Sequence, residues 1–263
     1  MMNIQKYLRA QSLEEAYQLN QKKSNRVIGG MLWMKMGKGS VNTAIDLCGL
    51  GLDTIEETKD RFSIGAMATL RQLELHPGLH AYTKGAAADA VKDIVGVQFR
   101  NMATVGGSLW GRFGFSDVLT FLLSMDAQVE LYQGGMVSLE QFSQMKHDRD
   151  ILVRVHIKKK PGVFVYQAMR NQRTDFPVIA CAMSCMEGQY RAVIGARPSR
   201  GLIIRDGENL LTGGITRESA QAFAAYVARL TPTGSNLRGS GAYRTHLIRV
   251  LTERNALKLG GIE

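Results

Sequence analysis

Gln98-Phe99-Arg100-Asn101-Met102-Ala103-Thr104-Val105-Gly106-Gly107-Ser108 is the stretch on which the fold turns, and Val27-Ile28-Gly29-Gly30-Met31-Leu32-Trp33-Met34 is its counterpart upstream. A glycine pair lets the backbone approach a ligand closely and reach positive φ, and successive N–H groups there can cradle an anion. Two such loops suit the two phosphates of a dinucleotide, gripped from both sides. Neither is the G-x-G-x-x-G turn of a Rossmann unit, and the chain has no P-loop of the form G-x-x-x-x-G-K-S/T. A dinucleotide held here is held by another fold.

Outward from these loops the chain alternates short strands and helices. Ser12-Leu13-Glu14-Glu15 is a capping box that opens a helix to about Lys22, and the strand Arg26-Val27-Ile28 runs straight into Gly29-Gly30. Thr43–Leu47 is a strand, followed by a polar turn region around Asp53 to Asp60. Phe62–Ala66 is a strand, Thr69 caps the helix after it, and Pro77-Gly78 stops that helix. Leu79–Val95, rich in alanine, reads as one helix. The second glycine loop comes next, then a helical turn or two at Val118–Ser124, a strand at Ala127–Tyr132, a short helix at Ser138–Phe142 and a strand at Ile151–Ile157.

Lys158-Lys159-Lys160-Pro161-Gly162 joins a charge run to Pro and Gly and marks the best domain boundary. It reads as a solvated linker or, alternatively, as a docking surface. Beyond it come three strands, Val163–Met169, Val178–Met186 and Tyr190–Ala196, then two helices, Thr216–Arg229 with Thr216 as N-cap and Ala242–Leu257. Strands followed by helices predict a small α+β domain with a three-stranded antiparallel sheet.

The chain of 263 residues, 45% hydrophobic and 21% charged, has the balance of a globular protein of two domains or three small ones. No stretch is long and apolar enough to span a bilayer. The start, Met1-Met2-Asn3-Ile4-Gln5-Lys6-Tyr7, lacks the apolar run of a secretory signal, and a cytoplasmic location is expected. A formal charge of +10 attracts anions of every kind, but no basic run interleaves with aromatics, so nucleic acid is not the expected partner. Cys48, Cys181 and Cys185 are too few for a disulfide framework; the last two read as buried small hydrophobes rather than metal ligands.

The whole pattern resembles the flavoprotein (medium) subunit of the molybdenum hydroxylases, the xanthine dehydrogenase and carbon monoxide dehydrogenase family. The first loop is similar to that family's A-G-G-T-D-L, with Met34-Lys35-Met36-Gly37 and Ala44-Ile45-Asp46-Leu47 where the family has K-x-G and an I-D-L strand. The second resembles Q-I-R-N-x-x-T-x-G-G-N and is followed by Phe115-Ser116-Asp117, like S-x-D. Near the end, Arg238-Gly239-Ser240-Gly241-Ala242-Tyr243-Arg244 leads to Leu247 as in A-S-x-x-Y-R-x-x-L. Met31-Leu32 replaces T-D, Ser108 replaces Asn, and Phe164-Val165-Tyr166 stands where the family has Y-x-K, ahead of Arg170 and Asp175.

The resemblance implies a two-lobed, PCMH-type (vanillyl-alcohol-oxidase-like) FAD-binding domain over 1–160, with lobes at about 1–55 and 56–160, and a carbon-monoxide-dehydrogenase-flavoprotein-like domain over 163–263. It implies FAD contacts from Val27, Ile28, Gly29, Gly30, Met31, Leu32, Trp33, Met34, Ala103, Thr104, Val105, Gly106, Gly107, Ser108, Asp117 and Leu152. The N–H groups of Gly29, Gly30, Gly106 and Gly107 would donate to the pyrophosphate, with help from the Thr104 and Ser108 hydroxyls. Asp117 would accept from ribityl or ribose hydroxyls; read alone it is equally a helix N-cap, and Leu152 read alone is core. Trp33 and Trp110, each beside a glycine loop, suit either core packing or contact with a cofactor ring.

By the same resemblance no catalytic acid–base pair is needed in this chain and no metal is bound by it. A molybdopterin subunit would oxidise substrate, 2Fe–2S centres on a partner would relay electrons, and FAD would pass them to NAD or another acceptor. The chain lacks the C-x4-C-x2-C spacing of a plant-type 2Fe–2S site, so those clusters come from elsewhere. A stand-alone flavin oxidase and a flavin-free scaffold subunit are the competing readings.

Overall fold

The computed structural model describes residues 2–262. In the first lobe β1 (Asn3–Arg9), α1 (Leu13–Asn20), β2 (Arg26–Ile28) and β3 (Ser40–Asp46) form a parallel sheet ordered β1-β3-β2. Ser12 opens α1 as the capping pattern predicts, accepting the Glu15 N–H at 3.1 Å, while Glu15 takes the Gln11 N–H at 2.7 Å. β1 has no counterpart in the sequence reading. It is an edge strand with mostly exposed residues, so it lacks the apolar alternation by which strands are found.

The second lobe begins with β4 (Ile55–Glu57), which lies inside the expected polar turn, and β5 (Arg61–Gly65). Then come α2 (Leu70–Leu75), α3 (Pro77–Thr83), α4 (Ala86–Val91), α5 (Val97–Met102), α6 (Val105–Trp110) and α7 (Asp117–Leu123). β6 (Ala127–Leu131), β7 (Gly135–Ser138), α8 (Leu139–Gln144) and β8 (Leu152–Lys158) complete it. Its five-stranded antiparallel sheet is ordered β4-β5-β8-β6-β7.

Three expectations are corrected here. The single helix over Leu79–Val95 is two, α3 and α4, because Lys84 (φ 50°) and Gly85 (φ 88°) are both left-handed and interrupt the ladder. Pro77 starts α3 rather than ending α2: proline is tolerated in a first turn, and His76 caps it by accepting the Leu79 N–H at 3.1 Å. The second glycine stretch is no loop. It is the end of α5 and, after Thr104, the first turn of α6.

The charge run at 158–160 is fastened down. Lys159 pairs with Glu57 at 2.6 Å, Lys160 reaches Asp126 and Glu187 at 3.3 Å each, and Tyr82 Oη donates to the Lys160 carbonyl at 2.9 Å. Beyond it lie β9 (Gly162–Arg170), β10 (Pro177–Met186), β11 (Gln189–Gly195) and β12 (Leu202–Arg205), followed by α9 (Arg217–Leu230) and α10 (Gly241–Leu259). The C-terminal sheet has four antiparallel strands, ordered β12-β11-β10-β9, and not the three expected. β12 escapes notice because Leu202-Ile203-Ile204-Arg205 is a short apolar run without alternation.

This sheet is the middle layer of the molecule, which is why β10 is buried almost throughout. Phe164, Tyr166, Ala180, Ala182 and Val193 join the core of the second lobe. Cys181, Met183, Ala192 and Ile194 face α9 and α10 in a separate core. Burial of both faces gives β10 its continuous apolar sequence. Arg244, in the stretch that resembles Y-R-x-x-L, is 1% exposed and donates to the carbonyls of Val178, Gly234 and Gly239 and to Asn236 Oδ1. It pins the turn before α10 to the sheet.

Candidate cofactor site

A cleft of about 920 Å³ separates the first lobe from the second and is closed by the β9–β10 turn. That is the size of a ligand pocket. Of the residues named from sequence, all but Val105 line it. Val105 is fully buried, its N–H donates to the Ala68 carbonyl at 2.8 Å, and it belongs to the core.

The first glycine loop forms one wall. β2 delivers Gly29 and Gly30 against the second lobe so closely that a Cβ on Gly30 would lie 1.9 Å from the Met102 carbonyl oxygen, and one on Gly29 2.6 Å from Thr104 Oγ1. Met31 follows in the left-handed region (φ 57°), and a 3-10 turn over Met34–Met36 ends the loop. Among the described residues, no oxygen accepts from the amides of Gly30, Met31, Leu32, Trp33 or Met34. A run of unpaired N–H groups on a cleft wall can hold an anion.

The second stretch forms the facing wall, and its amides are committed. Gly106 N–H donates to Ala66 O at 2.8 Å, Gly107 N–H to Thr104 Oγ1 at 3.1 Å, and Ser108 N–H to Thr104 O at 3.1 Å. Ser108 Oγ donates to the Thr104 carbonyl at 2.9 Å. Gly106 is required by packing: a Cβ there would lie 2.7 Å from the Ala66 oxygen. Arg100, the arginine of this stretch, is 5% exposed and binds Glu74 at 2.8 Å and the Ile94 carbonyl at 3.2 Å, holding α5 to α2.

Asp117 lies at the base of the cleft. Ser116, not Asp117, caps α7, accepting the Leu119 N–H at 3.2 Å. The Asp117 carboxylate pairs with Arg170 at 2.9 Å and accepts from the Tyr166 hydroxyl. Burial pushes its carboxyl above the ordinary range, against the pull of Arg170 and Tyr166. Burial and the Asp117 charge together push the Tyr166 phenol well up. Leu152 is buried at the start of β8 and presents to the cleft.

Arg149 was not picked out from sequence, nor were Phe99, Phe113, Phe115 and Phe176 as neighbours of Trp33. Arg149 donates to the carbonyls of Lys22 (2.7 Å) and Asn25 (2.9 Å) and to that of Asn20, tying the second lobe to the first at one end of the cleft. At the other end five aromatic rings meet. Trp33 stacks on Phe176 (5.2 Å, 29°) and meets the edges of Phe99 and Phe115. Phe113 stacks on Phe115 (5.1 Å, 9°). Phe113-Gly114-Phe115 carries a signal; Phe176 and Arg149 sit in polar turns and carry none. Trp110 packs on Phe142, with the Arg112 guanidinium over its ring.

Other reactive groups do not form a site. Ser63, His156 and Glu130 are linked by contacts of 3.0 and 2.9 Å, but Ser63 is buried inside β5 and no residue of this chain of contacts lines the cleft. Burial pushes the Cys181 thiol up to about 11, the range of an unreactive core cysteine. Among the described residues no three His, Cys, Asp or Glu side chains converge to hold a metal, and no helix is long and apolar enough to cross a membrane.

Comparison with known proteins accords with this geometry. The profile of the FAD binding domain in molybdopterin dehydrogenase matches residues 2–158, and that of the CO dehydrogenase flavoprotein C-terminal domain matches 164–259. The uncharacterized protein YgfM of Escherichia coli K12 is 26% identical over 94% of this chain and 93% of its own length. The nicotine 6-hydroxylase medium subunit of Paenarthrobacter nicotinovorans is 24% identical over 97% of each. In fold the chain is similar to quinoline 2-oxidoreductase from Pseudomonas putida 86, with a TM-score of 0.87 at 22% identity over 97% of this chain and 96% of that one. A dinucleotide-sized cleft between two lobes, a glycine loop with unpaired amides and a C-terminal domain matching that of CO dehydrogenase flavoproteins thus coincide in one molecule, and the chain belongs to the family of FAD-binding medium subunits of the molybdopterin hydroxylases.

Proposed function

We propose that this chain is the electron-transfer subunit of a multi-subunit molybdenum hydroxylase, with FAD in the cleft between its lobes. The observation that carries the reading is the row of unpaired amides from Gly30 to Met34 on the cleft wall. The cleft fits the group: it has dinucleotide volume, an anion cradle and a ring-lined end. The pyrophosphate lies against the first glycine loop, whose amides donate to it. Gly106 and Gly107 contribute shape, letting Thr104 and the first turn of α6 approach without side chains in the way. The Thr104 and Ser108 hydroxyls bound the same space.

Asp117, positioned by Arg170 and Tyr166, offers its remaining acceptor capacity to ribityl or ribose hydroxyls, and Leu152 packs against the cofactor. FAD, when bound, supplies a carrier that takes electrons singly and gives them up as a pair. The chain's own residues hold it and exclude water from it. Molybdopterin and 2Fe–2S centres belong to partner subunits, and NAD or another acceptor takes the electrons from FAD.

The test is the visible spectrum of the purified full chain before and after addition of FAD. Flavin bands that persist through gel filtration, at near-unit occupancy, are the expected result. A chain that stays colourless both alone and with its partner subunits overturns the reading in favour of a flavin-free scaffold.

A further inference from the structure

The ring end of the cleft leads to one residue. Trp33 stands three positions after the glycine pair, on the same loop as the unpaired amides, and is 49% exposed. Tryptophan carries a large apolar surface that is costly to leave in water. Its ring is not idle: it stacks on Phe176 from the β9–β10 turn and touches Phe99 from α5 and Phe115 from the segment before α7. Arg238 lies over the Phe176 ring at 4.7 Å, so that ring is braced from the C-terminal domain.

The walls of this box differ in how they are held. Phe99 belongs to a helix anchored through Arg100, and Phe176 is braced by Arg238. Trp33 sits on a loop with a left-handed Met31, a single 3-10 turn, and the half-buried or exposed run from Met31 to Lys35. It is the wall with the weakest ties.

We propose that Trp33 stacks on the isoalloxazine ring of the bound cofactor, giving up its stack on Phe176, so that one loop holds both the phosphates and a face of the ring. This rests on the reading that FAD occupies the cleft. Phosphate binding at the amides of Gly30–Met34 then sets the position of Trp33, and the ring and phosphate contacts reinforce each other. Stacking of a heteroaromatic ring on an aromatic side chain is worth about 1–3 kcal/mol, which corresponds to roughly five- to a hundredfold in affinity.

The test measures FAD affinity by quenching of flavin fluorescence, together with circular dichroism in the visible flavin bands, for the full chain and for Trp33→Leu and Trp33→Phe. Trp33→Leu is expected to weaken FAD binding about tenfold and to alter the flavin dichroism, and Trp33→Phe to recover most of both. Equal affinity and equal dichroism in Trp33→Leu and wild type overturn the proposal. So does equal impairment of the Leu and Phe variants, which would mark the residue as structural. A wild-type chain that binds no FAD, either alone or with its partner subunits, fails earlier and differently: it overturns the cofactor reading itself. Trp33 is half exposed, and thermal unfolding of each variant shows whether its fold is intact.

Discussion

The two glycine pairs look alike in sequence and do different work. Gly29-Gly30 lets the chain pass so close to Met102 and Thr104 that a side chain has no room, then leaves the amides of Gly30 to Met34 free toward the cleft. Gly106-Gly107 also yields to close packing, against Ala66 and Thr104, but its amides are consumed by Ala66 O and Thr104 Oγ1. One pair presents donors and the other fits a helix against its neighbours. The difference follows from backbone conformation: the loop around the left-handed Met31 leaves successive N–H groups unpaired, whereas in the first turn of α6 Gly107 N–H goes to the Thr104 cap and Gly106 N–H to the neighbouring Ala66 carbonyl.

The largest effect that sharpens this contrast comes from the brace behind the second stretch. Arg100→Ala strips Glu74 of its buried partner, leaving Arg71 at 3.0 Å, and is expected to cost toward the lower end of about 3–5 kcal/mol, read by denaturant unfolding. It also changes the acid limb. Burial raises the Glu74 carboxyl, but hydrogen bonds and charge from Arg100 and Arg71 outweigh it and hold the group below its ordinary value. A depressed carboxyl contributes stability that is present above its unfolded value and lost as pH falls through the folded one. The wild type should therefore lose stability more steeply than Arg100→Ala as the solution is acidified through that range.

A substitution in the first pair comes next. Gly30→Ala forces a Cβ into the Met102 carbonyl and should cost about 1–3 kcal/mol by overpacking, with loss of FAD retention out of proportion to that cost because the amide run is displaced. Equal FAD retention in Gly30→Ala and wild type would break the contrast. The smallest effect is at the cap. Thr104→Ala removes the acceptor of the Gly107 N–H and should cost about 1 kcal/mol in unfolding free energy, with a modest change in FAD affinity. A larger loss of FAD than in Gly30→Ala would reverse the roles assigned to the two walls.

Much of the molecule was legible along the chain. The capping serines and threonines at Ser12, Thr69 and Thr216 act as expected, because a cap is a contact across three residues. Most strands that alternate or run apolar were found; β1, β4, β7 and β12, all at sheet edges, were not, since each is too short or too weakly alternating to leave a period to read. The break at Lys84-Gly85 was missed because helical spacing continues across it. The residues of the site were legible as motifs while their roles were not. Arg100 and Arg244, each in a motif shared with a cofactor-binding family, bind carbonyls and carboxylates of their own chain.

The sequence by itself determined the family and the two glycine segments that the fold brings to one cleft, since glycine pairs, caps and apolar periods are local properties. Only the tertiary structure decided which glycine amides are free, that Asp117 is held by Arg170 and Tyr166, that Arg149 ties the lobes together, and that Trp33 meets Phe176. The Asp117, Arg149 and Trp33 contacts, like the one from Gly106 N–H to Ala66 O, join residues far apart along the chain. Where a distant group such as Ala66 O or Arg170 reaches an N–H or a carboxylate first, it is no longer free for a ligand, and no local pattern records that.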